Sequence, residues 1–253
     1  REKVYFASLE GSVDGTGVRE PGGVLKFLIV DEELVVVDYQ PTRGAVHHLD
    51  VTSDGKYVLQ GTSEGGVGKL YVLNAGINAY DPMSVEEIID AGNGAGHVFT
   101  SDKRQLALVT NHDDKFLSII DMDGDGDGNL DSPGSWATTV AWIPRGTTYD
   151  EPGAVNDAGN IGRDATRAAG QKIQAHTASV SEADPQEQYY YGSAAADGVF
   201  YRIDLENLEK YADPDSPFPA EDMLDAEAEL GDSYLIQGDY NWNEPSGPMG
   251  GMN

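Results

Sequence analysis

His47-His48-Leu49-Asp50-Val51-Thr52-Ser53-Asp54-Gly55-Lys56-Tyr57-Val58-Leu59-Gln60-Gly61-Thr62, followed shortly by Lys69-Leu70-Tyr71-Val72-Leu73-Asn74, reads as strand, Asp-Gly turn, strand, hairpin, strand. The same text returns in looser form. His97-Val98-Phe99-Thr100-Ser101-Asp102 leads into Leu106-Ala107-Leu108-Val109-Thr110-Asn111, and Phe116-Leu117-Ser118-Ile119-Ile120-Asp121 closes that copy. A third copy runs from His176 through Tyr189-Tyr190-Tyr191 to Val199-Phe200-Tyr201-Arg202-Ile203-Asp204. Thr52-Ser53-Asp54 and Thr100-Ser101-Asp102 lie 48 positions apart, inside the period of about 40 to 50 that marks propeller blades.

Working outward, Lys3 to Leu9, Val24 to Val30 and Leu34 to Asp38 form an earlier copy without its first strand, and Ala137 to Ile143 supplies a fourth strand to the second full copy. The expected fold is an all-β β-propeller of four-stranded antiparallel blades, about four to five of them in this chain, with residues 1–253 as one domain. A loop insertion is expected at about 144–171, where periodic apolar residues are scarce, and an acidic insertion at about 213–232, whose Ala220 to Leu230 stretch favours a short helix. Residues 245–253 have tail composition. An unclosed propeller leaves hydrogen-bonding edges bare, so other protein subunits or self-association are expected to complete the ring.

The composition narrows the partners. Against 16 Lys+Arg stand 44 Asp+Glu, a formal net charge of −28. That charge repels phosphate backbones and anionic lipid headgroups, attracts divalent cations and keeps a surface soluble where salt is high. No nucleic acid and no membrane insertion are expected; no apolar run approaches the roughly 20 residues that span a bilayer. There is no cysteine, which excludes disulfides, iron–sulfur clusters and thiolate copper centres. A metal must therefore be held by His, Met or carboxylate. With Arg1 taken as a processed end, the expected location is periplasmic, secreted or cell-surface.

Two groups of residues carry chemistry. Asp121-Met122-Asp123-Gly124-Asp125-Gly126-Asp127-Gly128-Asn129-Leu130-Asp131 alternates oxygen ligands with glycines that allow tight wrapping, as a calcium loop requires. Calcium is expected at Asp121, Asp123, Asp125, Asp127, Asn129 and Asp131, in a structural role; a solvated acidic turn is the alternative. The loop resembles those of EF-hands, dockerins and thrombospondin repeats, although Gly134 stands where an EF-hand has its bidentate Glu. The second group is His47, His48, His97 and His176, each at the start of a repeat, where the innermost strand of a blade borders the central channel. Imidazoles repeated there are expected to share a metal or, alternatively, to be ordinary strand-start residues bonded to backbone or water. Aligned on Thr-Ser-Asp, His97 falls one residue out of step with His48 and needs a bulge. His112 belongs to an outer hairpin turn, Met249 and Met252 to the tail, and Tyr189-Tyr190-Tyr191 is expected to bury one ring and expose its neighbours.

His47-His48, then Gly96-His97, then Ala175-His176, with the blade texts Thr52-Ser53-Asp54-Gly55-Lys56 and Val109-Thr110-Asn111, resembles YVTN-type propellers and the propellers of nitrous oxide reductase and thiocyanate dehydrogenase. The resemblance covers about half the chain. It implies a copper cluster held by imidazoles in the channel and redox chemistry on a small anion or gas. Two features depart from that family. There are only five histidines, and the absence of cysteine removes the second copper domain through which nitrous oxide reductase takes its electrons. The expected function is thus an extracytoplasmic calcium-binding propeller acting as a scaffold or subunit of a larger complex; the alternative is a copper-dependent oxidoreductase with His47, His48, His97 and His176 as ligands.

Overall fold

The computed structural model describes residues 3–11, 21–64, 67–92, 94–111, 114, 116–143, 175–180, 186–194, 199–216 and 218–224. Its strands form four antiparallel sheets in chain order. The first holds β1 (Val4–Leu9), β2 (Gly23–Val30) and β3 (Glu33–Pro41); the second β4 (Ala45–Val51), β5 (Tyr57–Glu64), β6 (Val67–Asn74) and β7 (Ser84–Asp90). The third holds β8 (Ala95–Ser101), β9 (Leu106–Asn111), β10 (Phe116–Asp121) and β11 (Ala137–Trp142), and the fourth β12 (Ala175–Val180), β13 (Tyr189–Ala194), β14 (Val199–Asp204) and β15 (Met223–Leu224). Each is an up-and-down meander, and the all-β propeller architecture read from the repeats is the one observed. Among the described residues the first blade has three strands. The fourth blade gains its outer strand from Met223–Leu224, preceded by a 3₁₀ turn at Ala220–Asp222, where local propensity favours helix. Here pairing with Phe200 and Tyr201 overrides propensity. The 144–171 insertion, residues 225–232 of the acidic insertion, the 245–253 tail, His112, Met249 and Met252 lie outside the described residues.

The repeated sequence signals have a common physical cause. Thr52 Oγ1 donates to Asp54 Oδ1 (2.8 Å) and accepts the Tyr57 N–H (3.0 Å), while Asp54 Oδ1 also accepts the Lys56 N–H (2.9 Å). Gly55 takes φ +71, the left-handed conformation that glycine adopts without strain. The Asp or Asn ending each third strand makes one further turn. Gly76 N–H donates to Asn74 Oδ1 (2.9 Å), Asp123 N–H to Asp121 Oδ1 (3.1 Å) and Glu206 N–H to Asp204 Oδ1 (3.0 Å). A backbone bond repeats beside it, from Ala75, Met122 and Leu205 to the carbonyls of Lys56, Gln105 and Gln188 (2.9, 2.8 and 2.8 Å). These matches place Asn74, Asp121 and Asp204 at one structural position.

Packing occurs between blades. Val24 of the first blade meets Val58, Tyr71 and Leu73 of the second. Leu59, Leu70 and Val72 of the second meet Val98, Ala107, Val109 and Ile120 of the third. Leu106, Leu108, Leu117 and Ile119 of the third meet Tyr190, Tyr201 and Ile203 of the fourth. Period-two alternation makes this possible, because each strand sends successive side chains to opposite neighbours. Tyr190 is fully buried and Tyr189 and Tyr191 are half-buried, as the alternation predicts. Polar ties reinforce the joints. Buried Lys26 donates to the carbonyls of Ala75 (2.6 Å), Asn78 (3.1 Å) and Asp81 (2.8 Å). Asp50 Oδ2 accepts from the Thr100 N–H (2.7 Å) and hydroxyl (2.9 Å), and Glu187 Oε2 from the Ser101 hydroxyl (2.7 Å).

Candidate metal centre

The β10–β11 connection is built from its first residue upward. Asp121 ends β10 with the turn shared by all three full blades, so its carboxylate has a structural partner in the Asp123 N–H. Beyond it, one carboxylate oxygen each of Asp123, Asp125 and Asp131 lies within 4.8 Å of the others. Two oxygens at about 2.3–2.6 Å from one calcium can stand at most about 5 Å apart, so the three fit a single shell. The wrapping is fixed by Gly126 and Gly128, at φ +74 and +84. It is fixed also by the Gly126 N–H to the Asp123 carbonyl (3.2 Å), the Asp131 N–H to the Met122 carbonyl (2.9 Å) and the Trp136 indole N–H to the Asp131 carbonyl (3.1 Å).

Of the other expected ligands, Asp121 and Asp127 are not among the three converging carboxylates. Asp127 Oδ1 accepts both the backbone N–H and the side-chain amide of Asn129 (2.8 Å each). Asp123 also accepts backbone N–H groups, from Asp127 (3.0 Å) and Gly128 (2.7 Å). A Cβ on Gly124 would sit 2.7 Å from the Ser135 carbonyl oxygen and 3.4 Å from Asp131 Oδ2. The Ser135 carbonyl thus crowds the mouth of the loop, a backbone oxygen with no signature in the sequence. It comes from the 3₁₀ turn Pro133–Ser135, which also contains Gly134.

The histidines occupy a second repeated device. Opposite Thr62 and Gln60, β4 spends one extra residue between Val46 and Leu49; β8 does the same between Ala95 and Val98, and β12 between Ala175 and Ala178. Each inner strand therefore carries one bulge at the same place. His47-His48, Gly96-His97 and His176-Thr177 are the residues inside these bulges. Counted by hydrogen-bond register, Leu49 matches Val98 and Thr52 matches Ser101, so His48 and His97 are in step. The mismatch on Thr-Ser-Asp comes from aligning the turns one residue off. The bulge exposes a backbone donor, and the His97 N–H finds the Thr110 hydroxyl (3.0 Å). Gly61, across from the β4 bulge, leaves room for the neighbouring blade: a Cβ there would lie 2.9 Å from the Gly96 carbonyl oxygen.

β4 packs against β8, and β8 against β12. This juxtaposition brings the His48 and His97 rings to a centroid separation of 5.4 Å. His48 Nδ1 lies 3.0 Å from the Val98 carbonyl; a carbonyl only accepts, so Nδ1 is the donor there and Nε2 is the ring nitrogen left for a ligand. Phe99 lies against both rings, at 5.1 Å from His48 and 6.3 Å from His97, and meets Tyr190 edge-on at 6.3 Å. His47 and His176 are described by backbone alone, in their bulges on β4 and β12. Phe99 was not among the candidate residues; its place two positions after His97 on the same strand face is the signal that points to it. Deeper in, burial pushes the Tyr190 and Tyr201 hydroxyls well above their usual pKa, which keeps both neutral and unsuited to acid–base work.

No protein-family model matches the chain, and no curated protein is significantly similar to it. Solved structures are similar. The periplasmic gluconolactonase of Pseudomonas aeruginosa superposes with a TM-score of 0.55 at 10% identity, covering 80% of this chain and 51% of that one. A candidate 6-phosphogluconolactonase from Bacteroides fragilis NCTC 9343 gives 0.52 at 11% identity, covering 88% and 54%. Another from Bacteroides uniformis ATCC 8492 gives 0.50 at 16%, covering 86% and 52%. The chain spans about half the length of these solved proteins. It belongs structurally with the β-propellers, and at such identities the likeness is one of fold, not of activity.

Proposed function

We propose that this chain is an extracytoplasmic, calcium-binding β-propeller segment that serves as a scaffold or as a subunit of a larger complex. The observation that carries the reading is the convergence of Asp123, Asp125 and Asp131 within 4.8 Å on the loop joining two strands of one blade. A hard cation there would tie the start of the connection to its end and stiffen the edge strand β11. Three carboxylates, with Gly134 in place of a closing bidentate Glu, make a modest site. Its affinity belongs with extracellular modules, whose Kd values run at about 10⁻⁴–10⁻³ M, and a net charge of −28 supplies the long-range attraction. Elemental analysis after equilibration in about 1 mM calcium tests the reading. One calcium per chain, lost in an Asp123→Asn/Asp131→Asn double variant, is expected; equal retention by wild type and variant removes it.

A second reading is favoured by one specific observation, the 5.4 Å imidazole pair whose His48 Nδ1 is held by a carbonyl, the arrangement that commonly orients a metal-ligating histidine. His48 and His97, joined by His47 and His176 from the equivalent bulges, would hold copper and give the chain an oxidoreductase activity on a small anion or gas, as the resemblance to nitrous oxide reductase and thiocyanate dehydrogenase suggests. Bound copper would supply redox chemistry. The residues present would orient the imidazoles and, through Phe99, shield one side from water. Stoichiometric copper that disappears in His97→Ala is expected on this reading; a wild type that takes up no copper excludes it.

A further inference from the structure

Lys26 is 1% exposed, and burying a charge is costly unless it is fully hydrogen-bonded. Here it is. Its Nζ donates to the carbonyls of Ala75 (2.6 Å), Asn78 (3.1 Å) and Asp81 (2.8 Å), all on the β6–β7 connection of the next blade. Three acceptors around one nitrogen call for three N–H donors, which only the protonated amine has. Burial lowers the Lys26 pKa from its ordinary value, against the opposing pull of the Asp81 and Asp38 carboxylates.

The turn is shaped around that ammonium and not around an apolar centre. Ile77 and Tyr80 are 95% and 61% exposed, so its large apolar side chains do not hold it. Asp81 Oδ2 accepts the backbone N–H (2.9 Å) and side-chain amide (3.1 Å) of Asn78, and the Asp81 N–H donates to the Asn78 carbonyl (3.1 Å). These bonds close the turn on itself. Gly76, at φ +83, lets the backbone approach: a Cβ there would lie 3.2 Å from Lys26 Nζ and 2.8 Å from the Asp81 Cβ. At the far end of the connection, Asp38 Oδ2 accepts the Met83 N–H (2.6 Å), so the first blade grips both ends.

The next joint shows what a blade has at this place without a lysine. The Thr42 N–H donates to the Gly22 carbonyl (2.9 Å) as the Ala91 N–H does to the Gly68 carbonyl (3.1 Å). Lys26 follows Gly22 at the same interval as Val72 follows Gly68, and an outer-strand bulge comes directly after each. Val72 is fully buried in the cluster that holds Met122. A joint therefore packs with an apolar residue here, and the charge of Lys26 serves the connection. Oxygen distances of 2.6–3.1 Å suit ammonium and the larger alkali ions that backbone carbonyls coordinate. Calcium asks for six to eight oxygens at about 2.3–2.6 Å. We infer that the 75–81 turn is a cation-binding loop, selective for a monovalent cation of ammonium or potassium size, whose occupant in the native chain is the Lys26 ammonium. The inference rests on neither of the metal readings above.

Lys26→Ala removes the tethered cation, and Lys26→Met fills the path of the side chain without a charge. Thermal unfolding of wild type and both variants is followed in ammonium, potassium and tetramethylammonium chloride at one ionic strength, so that screening of the −28 charge is common to all. Lys26→Ala is expected to gain about 2–4 °C in Tm in ammonium or potassium over tetramethylammonium, saturating with concentration. Wild type and Lys26→Met should show no such preference. A Lys26→Ala crystal soaked in rubidium chloride should give an anomalous peak among the carbonyls of Ala75, Asn78 and Asp81, and a cage without that peak overturns the inference. Equal Tm for Lys26→Ala in all three salts overturns it too, as does Lys26→Met matching wild type throughout, since the turn then needs no cation. Should Lys26→Ala fail to fold in tetramethylammonium, folding in ammonium or potassium supports the inference and failure in all three salts overturns it.

Discussion

Truncating Leu108 to alanine removes a fully buried side chain from the joint between the third and fourth blades, where it packs with Tyr190 and Tyr201. Leu→Ala at such a position costs about 2–5 kcal/mol, the lost transfer energy plus the cavity left behind. Leu59, equally buried in the preceding joint, should cost the same. Tyr191 occupies the equivalent place on the fourth blade and is only half-buried, so Tyr191→Ala should cost less than about 1 kcal/mol in dilute solution. For a domain of this size about 3 kcal/mol corresponds to a fall of roughly 6–12 °C in Tm. Urea unfolding with unchanged m-values separates the three variants. Equal costs at Leu108 and Tyr191 in dilute solution, or a cost below about 1 kcal/mol at both leucines, would refute the packing of blade on blade.

Calcium at 100 times its Kd should add about 2.7 kcal/mol, which is roughly 5–10 °C in Tm; differential scanning fluorimetry with and without chelator should show that gain in wild type and not in Asp123→Asn. Gly68→Ala should destabilise by about 1–3 kcal/mol, since the added methyl meets the Gly92 carbonyl and the Ala95 side chain; a neutral effect in chemical denaturation would contradict that close approach. Burial pushes the Asp204 carboxyl upward, but bonds from Asn207, the Glu206 N–H and Lys210 outweigh it and hold the group below its usual 3.8. The stabilisation it gives is present above that pH and lost as pH falls through the lower folded value. Asp204→Asn should therefore be less stable at neutral pH and show a shallower acid limb than wild type in pH-dependent unfolding.

Much of the fold was legible because the blade's turn chemistry is written in side chains. Thr52, Asp54 and Gly55 form a hydrogen-bonded turn, and Asn74, Asp121 and Asp204 cap the third strands at one structural position, so the repeat shows in the text even though Thr-Ser-Asp recurs one residue out of step with the strand register. The bulges were not legible. An extra residue in β4, β8 or β12 changes no composition, and only the pairing register shows that His48 and His97 share a position. Met223–Leu224 escaped for a related reason. Two residues in an Ala- and Glu-rich stretch carry helix propensity, and their strand exists because β14 presents an edge. At the acidic loop, alternating carboxylates point to a cation, yet Asp121 also serves the blade's common turn and Asp127 is bonded to Asn129. The Ser135 carbonyl is a backbone atom that no residue type announces. The histidine pair was legible as residue types, whereas its aromatic wall at Phe99 follows from strand alternation once His97 is placed on the inner strand.

The most direct measurement is a crystal structure of the chain grown with calcium, with anomalous differences collected at long wavelength. A single strong peak within about 2.3–2.6 Å of carboxylate oxygens of Asp123, Asp125 and Asp131 is predicted. An ordered β10–β11 loop with those three carboxylates bonded to water or lysine, and no peak between them, would contradict the calcium site and the function proposed from it.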